Sequence, residues 1–159
     1  MKRVSKNITS CIVITIALFF GSCGNKSFYN THVPIEKNSW DKNQSAFFEL
    51  TTDDTVSVYA CSIHIRHLET YRYSNLYLFL NTTFPNGLQT HDTIECILAL
   101  PDGKWLSKSS GSLREIALLL NPALRFPMTG TYVFEIEQAM RDEVLEGVSD
   151  IGLKIDYTK

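Results

Sequence analysis

The sequence predicts an all-β protein, a two-sheet antiparallel β-sandwich of the immunoglobulin-like or jelly-roll-like kind. Three observations carry that expectation. Apolar and polar residues alternate with a period of two in several short stretches, the pattern of strands buried on one face. Turn-forming groups such as Pro85-Asn86-Gly87, Pro101-Asp102-Gly103 and Asn121-Pro122 punctuate those stretches. Across the 159 residues there is no strand–helix alternation of the parallel-sheet type and no repeat of fixed period.

The chain opens with an address. Lys2, Arg3 and Lys6 form a basic start, Cys11 to Phe20 is an apolar run, and Gly21-Ser22 are small. This is the layout of a secretory signal peptide, and ten apolar residues are too few to span a bilayer. Phe20-Gly21-Ser22-Cys23 resembles the bacterial lipobox, with Phe20 in the position where an aliphatic residue is usual. That resemblance implies a signal over residues 1–22 and a mature chain that begins at a lipidated Cys23. Several acyl chains together would anchor it stably, since a single chain binds a membrane only marginally.

Residues 23–45 are expected to form a lipidated tether, polar but interrupted by Phe28, Tyr29, Val33, Ile35 and Trp40, some of which should dock on the domain. The sandwich is expected over 46–159. Phe47 to Thr52 is a short strand. In the longer strand from Thr55 to Arg66, the residues Tyr59, Cys61, Ile63 and Ile65 turn inward. Leu76-Tyr77-Leu78-Phe79-Leu80 is a continuous apolar run, expected of a strand covered on both sides or at a sheet centre. Thr93 to Leu100 alternates again, with Ile94, Cys96, Leu98 and Leu100 on one face. Glu115 to Leu120 fits either a strand or a helix. Thr131 to Glu137 is a strand with Tyr132, Phe134 and Ile136 inward, and Gln138 to Leu145 suits a short helical connection. In the last strand Ile151, Leu153, Ile155 and Tyr157 face in, and Asp150, Lys154 and Asp156 face water.

Charge excludes one class of partner. Removing residues 1–22 leaves 12 basic and 17 acidic residues, a net charge of −5. A domain without a Lys/Arg surplus lacks the electrostatic footprint of a nucleic-acid binder. Cys61 and Cys96 are the thiols left once Cys11 departs with the signal and Cys23 carries lipid. In an exported protein they either form a disulfide, worth about 4 kcal/mol in the chain-entropy account, or pack as small buried hydrophobes. The sequence leaves both open.

Candidate chemistry is sparse. His64 and His67 form an HxxH whose members point to opposite faces of a strand, so they read as surface polar residues rather than ligands. Asp53-Asp54 reads as a solvated turn, and Ser109-Ser110-Gly111-Ser112 lacks the Gly-Lys-Ser/Thr ending of a phosphate loop. No nucleophile–base motif, metal-ligand spacing or cofactor fingerprint stands out, so no catalytic residue, metal or cofactor is expected. Tyr71-Arg72-Tyr73, in a loop between two strands, and Arg125-Phe126 combine the residue types that dominate protein–protein contacts. They are the candidate partner contacts. Exposed Tyr and Trp would alternatively serve as stacking platforms in a glycan-binding envelope lipoprotein.

A wider resemblance adds to this reading. Trp40, Arg66-His67-Leu68, the stretch Tyr71 to Phe79, Asp92-Thr93-Ile94-Glu95-Cys96 and Asp102-Gly103-Lys104-Trp105-Leu106 follow a recognisable order. They continue with Arg125-Phe126-Pro127, Gly130-Thr131-Tyr132, Phe134 to Arg141 and Asp150 to Ile155. Together they resemble the gliding-motility lipoprotein GldH family of Bacteroidota, over nearly the whole mature chain. The resemblance implies a non-catalytic envelope lipoprotein, accessory to gliding and to the secretion apparatus that delivers surface adhesins. Its partners would be other envelope lipoproteins or proteins of that apparatus. Surface-exposed lipoproteins of this phylum commonly carry an acidic run just after the lipidated cysteine. Gly24-Asn25-Lys26-Ser27 has none, so a periplasm-facing protein is expected, with inner or outer membrane left open.

Overall fold

A computed structural model describes residues 27–158. Eleven strands follow one another: β1 Tyr29–Pro34, β2 Ser39–Asp41, β3 Ala46–Thr52, β4 Tyr59–Leu68, β5 Asn75–Thr83, β6 Gln89–Ile97, β7 Lys108–Ser110, β8 Leu113–Leu124, β9 Gly130–Gln138, β10 Val144–Glu146 and β11 Val148–Tyr157. They form a five-stranded sheet in the order β1-β11-β4-β8-β7, a four-stranded sheet in the order β3-β9-β5-β6 and a two-stranded β2-β10 ribbon. Every pairing is antiparallel. The predicted sandwich is the observed fold.

Cross-strand partners in antiparallel pairs share a face, so register fixes what enters the core. In the five-stranded sheet Cys61, Ile63 and Ile65 lie opposite Ile155, Leu153 and Ile151, and all six are buried. In the four-stranded sheet Ala46, Phe48 and Leu50 lie opposite Ile136, Phe134 and Tyr132. Leu76, Leu78 and Leu80 complete that inner face. The Leu76–Leu80 run proves central in its sheet, between β9 and β6, but one face stays wet, because Tyr77 is exposed. Leu98 is buried with Cys96, whereas Leu100 is exposed at the turn that Pro101 begins.

The backbone corrects two expectations and settles a third that was left open. The segment read as a tether is a sheet edge from Tyr29 onward, because β1 pairs residue for residue with β11 from Tyr29↔Ile155 to Pro34↔Asp150. The residues expected to dock do so. Trp40 is fully buried opposite Leu145, its indole N–H donating to the Gln44 carbonyl at 2.7 Å. Glu115 to Leu120 belongs to the long strand β8, where the backbone pairs with β4. Gln138 to Leu145 forms no helix. Buried Gln138 instead turns the corner, donating to the Asp142 carbonyl at 2.9 Å and accepting the Met140 amide at 2.8 Å, and β10 follows.

The last strand departs from its expected faces at both ends. Tyr157 is exposed, beyond the core and against Phe28 and Tyr59. Asp150, expected to face water, is buried. It accepts from Arg66 Nε at 2.8 Å and pairs with His32 Nδ1 at 3.0 Å. β11 lies between β1 and β4, so its outer face is covered by side chains from both neighbours. Gly152, two residues on, leaves the space the imidazole occupies: a Cβ there would stand 2.5 Å from His32 Cε1.

Candidate functional site

The sandwich is open along one side. There β6 ends the four-stranded sheet, and β8 is nearly the last strand of the other, because β7 pairs only with Leu113 to Glu115. Between these edges lies a cleft of about 480 Å³. Leu80, Ile94, Leu120, Phe126 and Phe134 give it an apolar floor, and Thr90, Asp92, Asn121 and Arg125 stand among its polar lining groups. A lining of this kind suits apolar groups, with polar groups beside them.

The residues singled out from the sequence divide by burial. Phe126 is buried in an aromatic cluster, its ring 4.9 Å from Tyr132 and 5.5 Å from Tyr59 between centroids. Its neighbour Arg125 is exposed and donates Nη1 to the Val56 carbonyl at 2.8 Å. Tyr71 is buried too, its hydroxyl donating to the Asn75 carbonyl at 3.0 Å, and burial pushes that phenol well above its ordinary value. Tyr73 is half-buried and donates to Asp142 Oδ2 at 2.7 Å, a bond that raises its pKa. Arg72 is exposed, its guanidinium 5.9 Å from the Tyr73 ring centre. Tyr71 and Phe126 therefore fix the loops from inside, and Arg72, Tyr73 and Arg125 reach the surface. The loop position of Tyr71 hid its burial from the sequence, because the pocket that receives it comes from distant strands.

Cys61 and Cys96 are both buried, unbridged thiols, one in each sheet. Burial pushes Cys61 up to about 11 and, with Glu95 adding to it, Cys96 up to about 12. Thiols held this far from ionisation are unreactive.

His64 and His67 take opposite faces of β4, as alternation requires, but His67 is no surface residue. It is fully buried, 4.7 Å from the Trp105 ring and 5.6 Å from Tyr71. Nδ1 donates to the Leu68 carbonyl at 2.9 Å, so in the neutral ring Nε2 is an acceptor, and no protein donor meets it. Burial depresses its pKa, with nearby Arg114 acting in the same direction. Arg114 lies directly across from His67, and its Nε and the Ser107 hydroxyl are the other buried side-chain groups without partners among the described residues. Arg114 is held by Glu69 through Nη2.

The Asp54 turn is built rather than merely solvated. Its carboxylate accepts the Val56 and Ser57 amides at 2.9 Å each and the Tyr59 hydroxyl at 2.9 Å. Bonds from Ser57 first, then Val56 and Tyr59, hold it far below its ordinary value. Burial and this bond push Tyr59 up to about 12. Among the described residues no group of three or more His, Cys, Asp or Glu is placed to hold a metal ion, and no helix is long and apolar enough to cross a membrane.

Fold and surface thus define a β-sandwich whose distinctive feature is an open edge with an apolar cleft. The family model described as GldH lipoprotein matches residues 27–155, and the chain belongs to that family. It is 35% identical over 152 residues to the gliding motility lipoprotein GldH homolog of Christiangramia forsetii, covering 91% of this chain and 93% of that protein. To the gliding motility lipoprotein GldH of Flavobacterium johnsoniae it is 27% identical over 154 residues, covering 92% and 95%. Among solved structures, a tumour-necrosis-factor-type protein, Eiger of S. frugiperda, aligns at a TM-score of 0.33 and 10% identity, covering 84% of this chain and 95% of that one. Membership of a lipoprotein family implies a lipid-anchored place in the cell envelope.

Proposed function

We propose that the protein is a non-catalytic accessory component of the gliding and adhesin-secretion machinery, working through protein contacts. The observation that carries this is the family match across residues 27–155, together with relatives named for gliding motility. The surface supports it: the open edge, the cleft, the exposed Arg72 and Arg125 and the half-buried Tyr73 offer contacts on the sandwich. In this reading Cys23 carries the lipid and the domain faces the periplasm, held close to its membrane. From Cys23 to Tyr29, where β1 starts, the chain reaches only about 20 Å fully extended.

A clean deletion in the host should impair export of surface adhesins and spreading on agar, with full-length protein restoring both. Normal export in the deletion strain refutes the reading. Cys23→Ser should abolish incorporation of labelled palmitate. Protease added to intact cells should leave the domain whole, and its digestion there would place it on the outer surface instead.

A further inference from the structure

The two sheets differ in the charge they turn to solvent. On the outer face of the five-stranded sheet the acids are matched: Arg66 pairs with Asp150, His64 with Glu115 and Lys154 with Asp156. The four-stranded sheet has no such balance. Strands β3, β5, β6 and β9 contain no Lys or Arg, yet Glu49, Glu95, Glu135 and Glu137 stand on their outer face. None of these four is ion-paired among the described residues. Register then sets an aromatic ring directly across from three of them. Phe47 lies opposite Glu135, Phe79 opposite Glu137 and Tyr77 opposite Glu95. Directly opposed side chains have Cβ atoms about 4.5–5.5 Å apart, so each ring stands beside its carboxylate. Phe47 is 58% exposed and Tyr77 38%. Asn81 donates to Glu135 at 3.2 Å, Ser45 to Glu137 at 3.0 Å and Asn75 to Glu95 at 2.7 Å, which orients the carboxylates. Those donors are neutral, so the negative charge stays unmatched.

A carboxylate beside an aromatic ring complements a Lys or Arg side chain, whose cation lies over the ring and donates to the carboxylate. We propose that this face docks a basic protein segment, its Lys or Arg side chains lying against Phe47, Phe79 and Tyr77 and pairing with the glutamates beside them. The proposal names the chemistry of the protein contacts inferred above and rests on that reading. Charge singles out this occupant. A second copy presenting the same face would set carboxylate against carboxylate, and an anionic lipid surface would be repelled. A neutral glycan would stack on the rings but gain nothing from the net charge. A cationic partner gains twice, because the unmatched charge also draws it in from a distance.

The test uses full-length protein, purified in mild detergent and in host envelopes. The probes are a synthetic peptide of alternating Arg and Thr and its counterpart with Gln for Arg, read by fluorescence anisotropy. The Arg peptide should bind at least about tenfold more tightly than the Gln peptide, a difference of about 1.4 kcal/mol. Glu135→Gln combined with Glu137→Gln should erase that preference, with circular dichroism unchanged because both side chains lie on the wet face. Phe47→Ser should weaken the Arg peptide about twofold to fivefold, the range of an exposed cation–π contact. Asp156→Asn, on the other sheet, should leave binding unchanged. In host envelopes, benzoylphenylalanine in place of Phe47 should crosslink to protein segments rich in Lys or Arg. Equal binding of the two peptides, or a preference that survives the paired glutamate substitutions, overturns the proposal. So do crosslinks confined to neutral or acidic segments, and so does a neutral polysaccharide held equally well by the wild type and the paired variant. Each of these leaves the gliding-machinery reading intact, since that reading fails through adhesin export instead.

Discussion

His67 is an imidazole sealed behind Trp105 and Tyr71, and its burial sets a sign for pH dependence. The folded protein binds a proton there less readily than the unfolded chain, whose histidine titrates near 6.5. Full stability is present above pH 6.5 and is lost as the pH falls from there toward the depressed folded value. We expect the melting temperature to drop between pH 7.5 and pH 5.5, and His67→Gln, uncharged throughout, to drop less. Equal slopes for the two proteins would show that His67 does not titrate on unfolding. Asp150 tests a second residue-scale argument. Gly152→Ala should push the His32 ring off Asp150 and cost about 1–3 kcal/mol, the usual range for overpacking. In the background of His32→Ala the same substitution should be nearly silent, since the ring it strikes is gone, and a double-mutant cycle by urea titration measures that coupling. Neither residue was legible in sequence. The buried state of Asp150 depends on His32, 118 residues away, and a period-two pattern speaks only of which face a side chain takes, never of what covers that face.

At the scale of elements, alternation succeeded where one face of a strand stays wet. β4 and β9 show inward rows at Tyr59–Ile65 and Tyr132–Ile136, as read. It faltered for Glu115–Leu120, whose unbroken apolar run has no alternating polar partner to set the period. That run is the exposed edge of β8, so the ambiguity itself was the signal of the candidate site. It also faltered before residue 46, where a polar composition suggested a tether. β1 is polar because it is an edge strand with solvent on one side, and pairing with β11 together with the packing of Tyr29 and Val33 on the core holds it in place. Trp40 is the apolar anchor of this leading segment, packed opposite Leu145. Trp40→Ala should therefore cost about 3–5 kcal/mol in denaturant unfolding, as a core substitution would. A loss below about 1 kcal/mol, normal for a surface site, would return the segment to the status of a tether.

For the whole molecule, Cys61 and Cys96 act as paired reporters of the sandwich, since one sits in each sheet and both belong to the shared core. Raised to about 11 and about 12, neither should react with iodoacetamide in the native state at pH 8. Their labelling should follow global unfolding and proceed at one common rate if the two sheets part together. Faster labelling of Cys96 alone would instead mark the β6 edge as a unit that opens separately.

Composition, strand alternation and turn residues determined the β-sandwich, because each is a local property written in neighbouring residues. The inner rows and the family resemblance followed from the same local order. Tertiary structure alone decided that Asp150 and His67 are buried, that Tyr71 and Phe126 face inward, and that β7 leaves most of β8 uncovered. Those outcomes depend on which distant strand lies alongside, and strand order is set by the packing of two whole sheets.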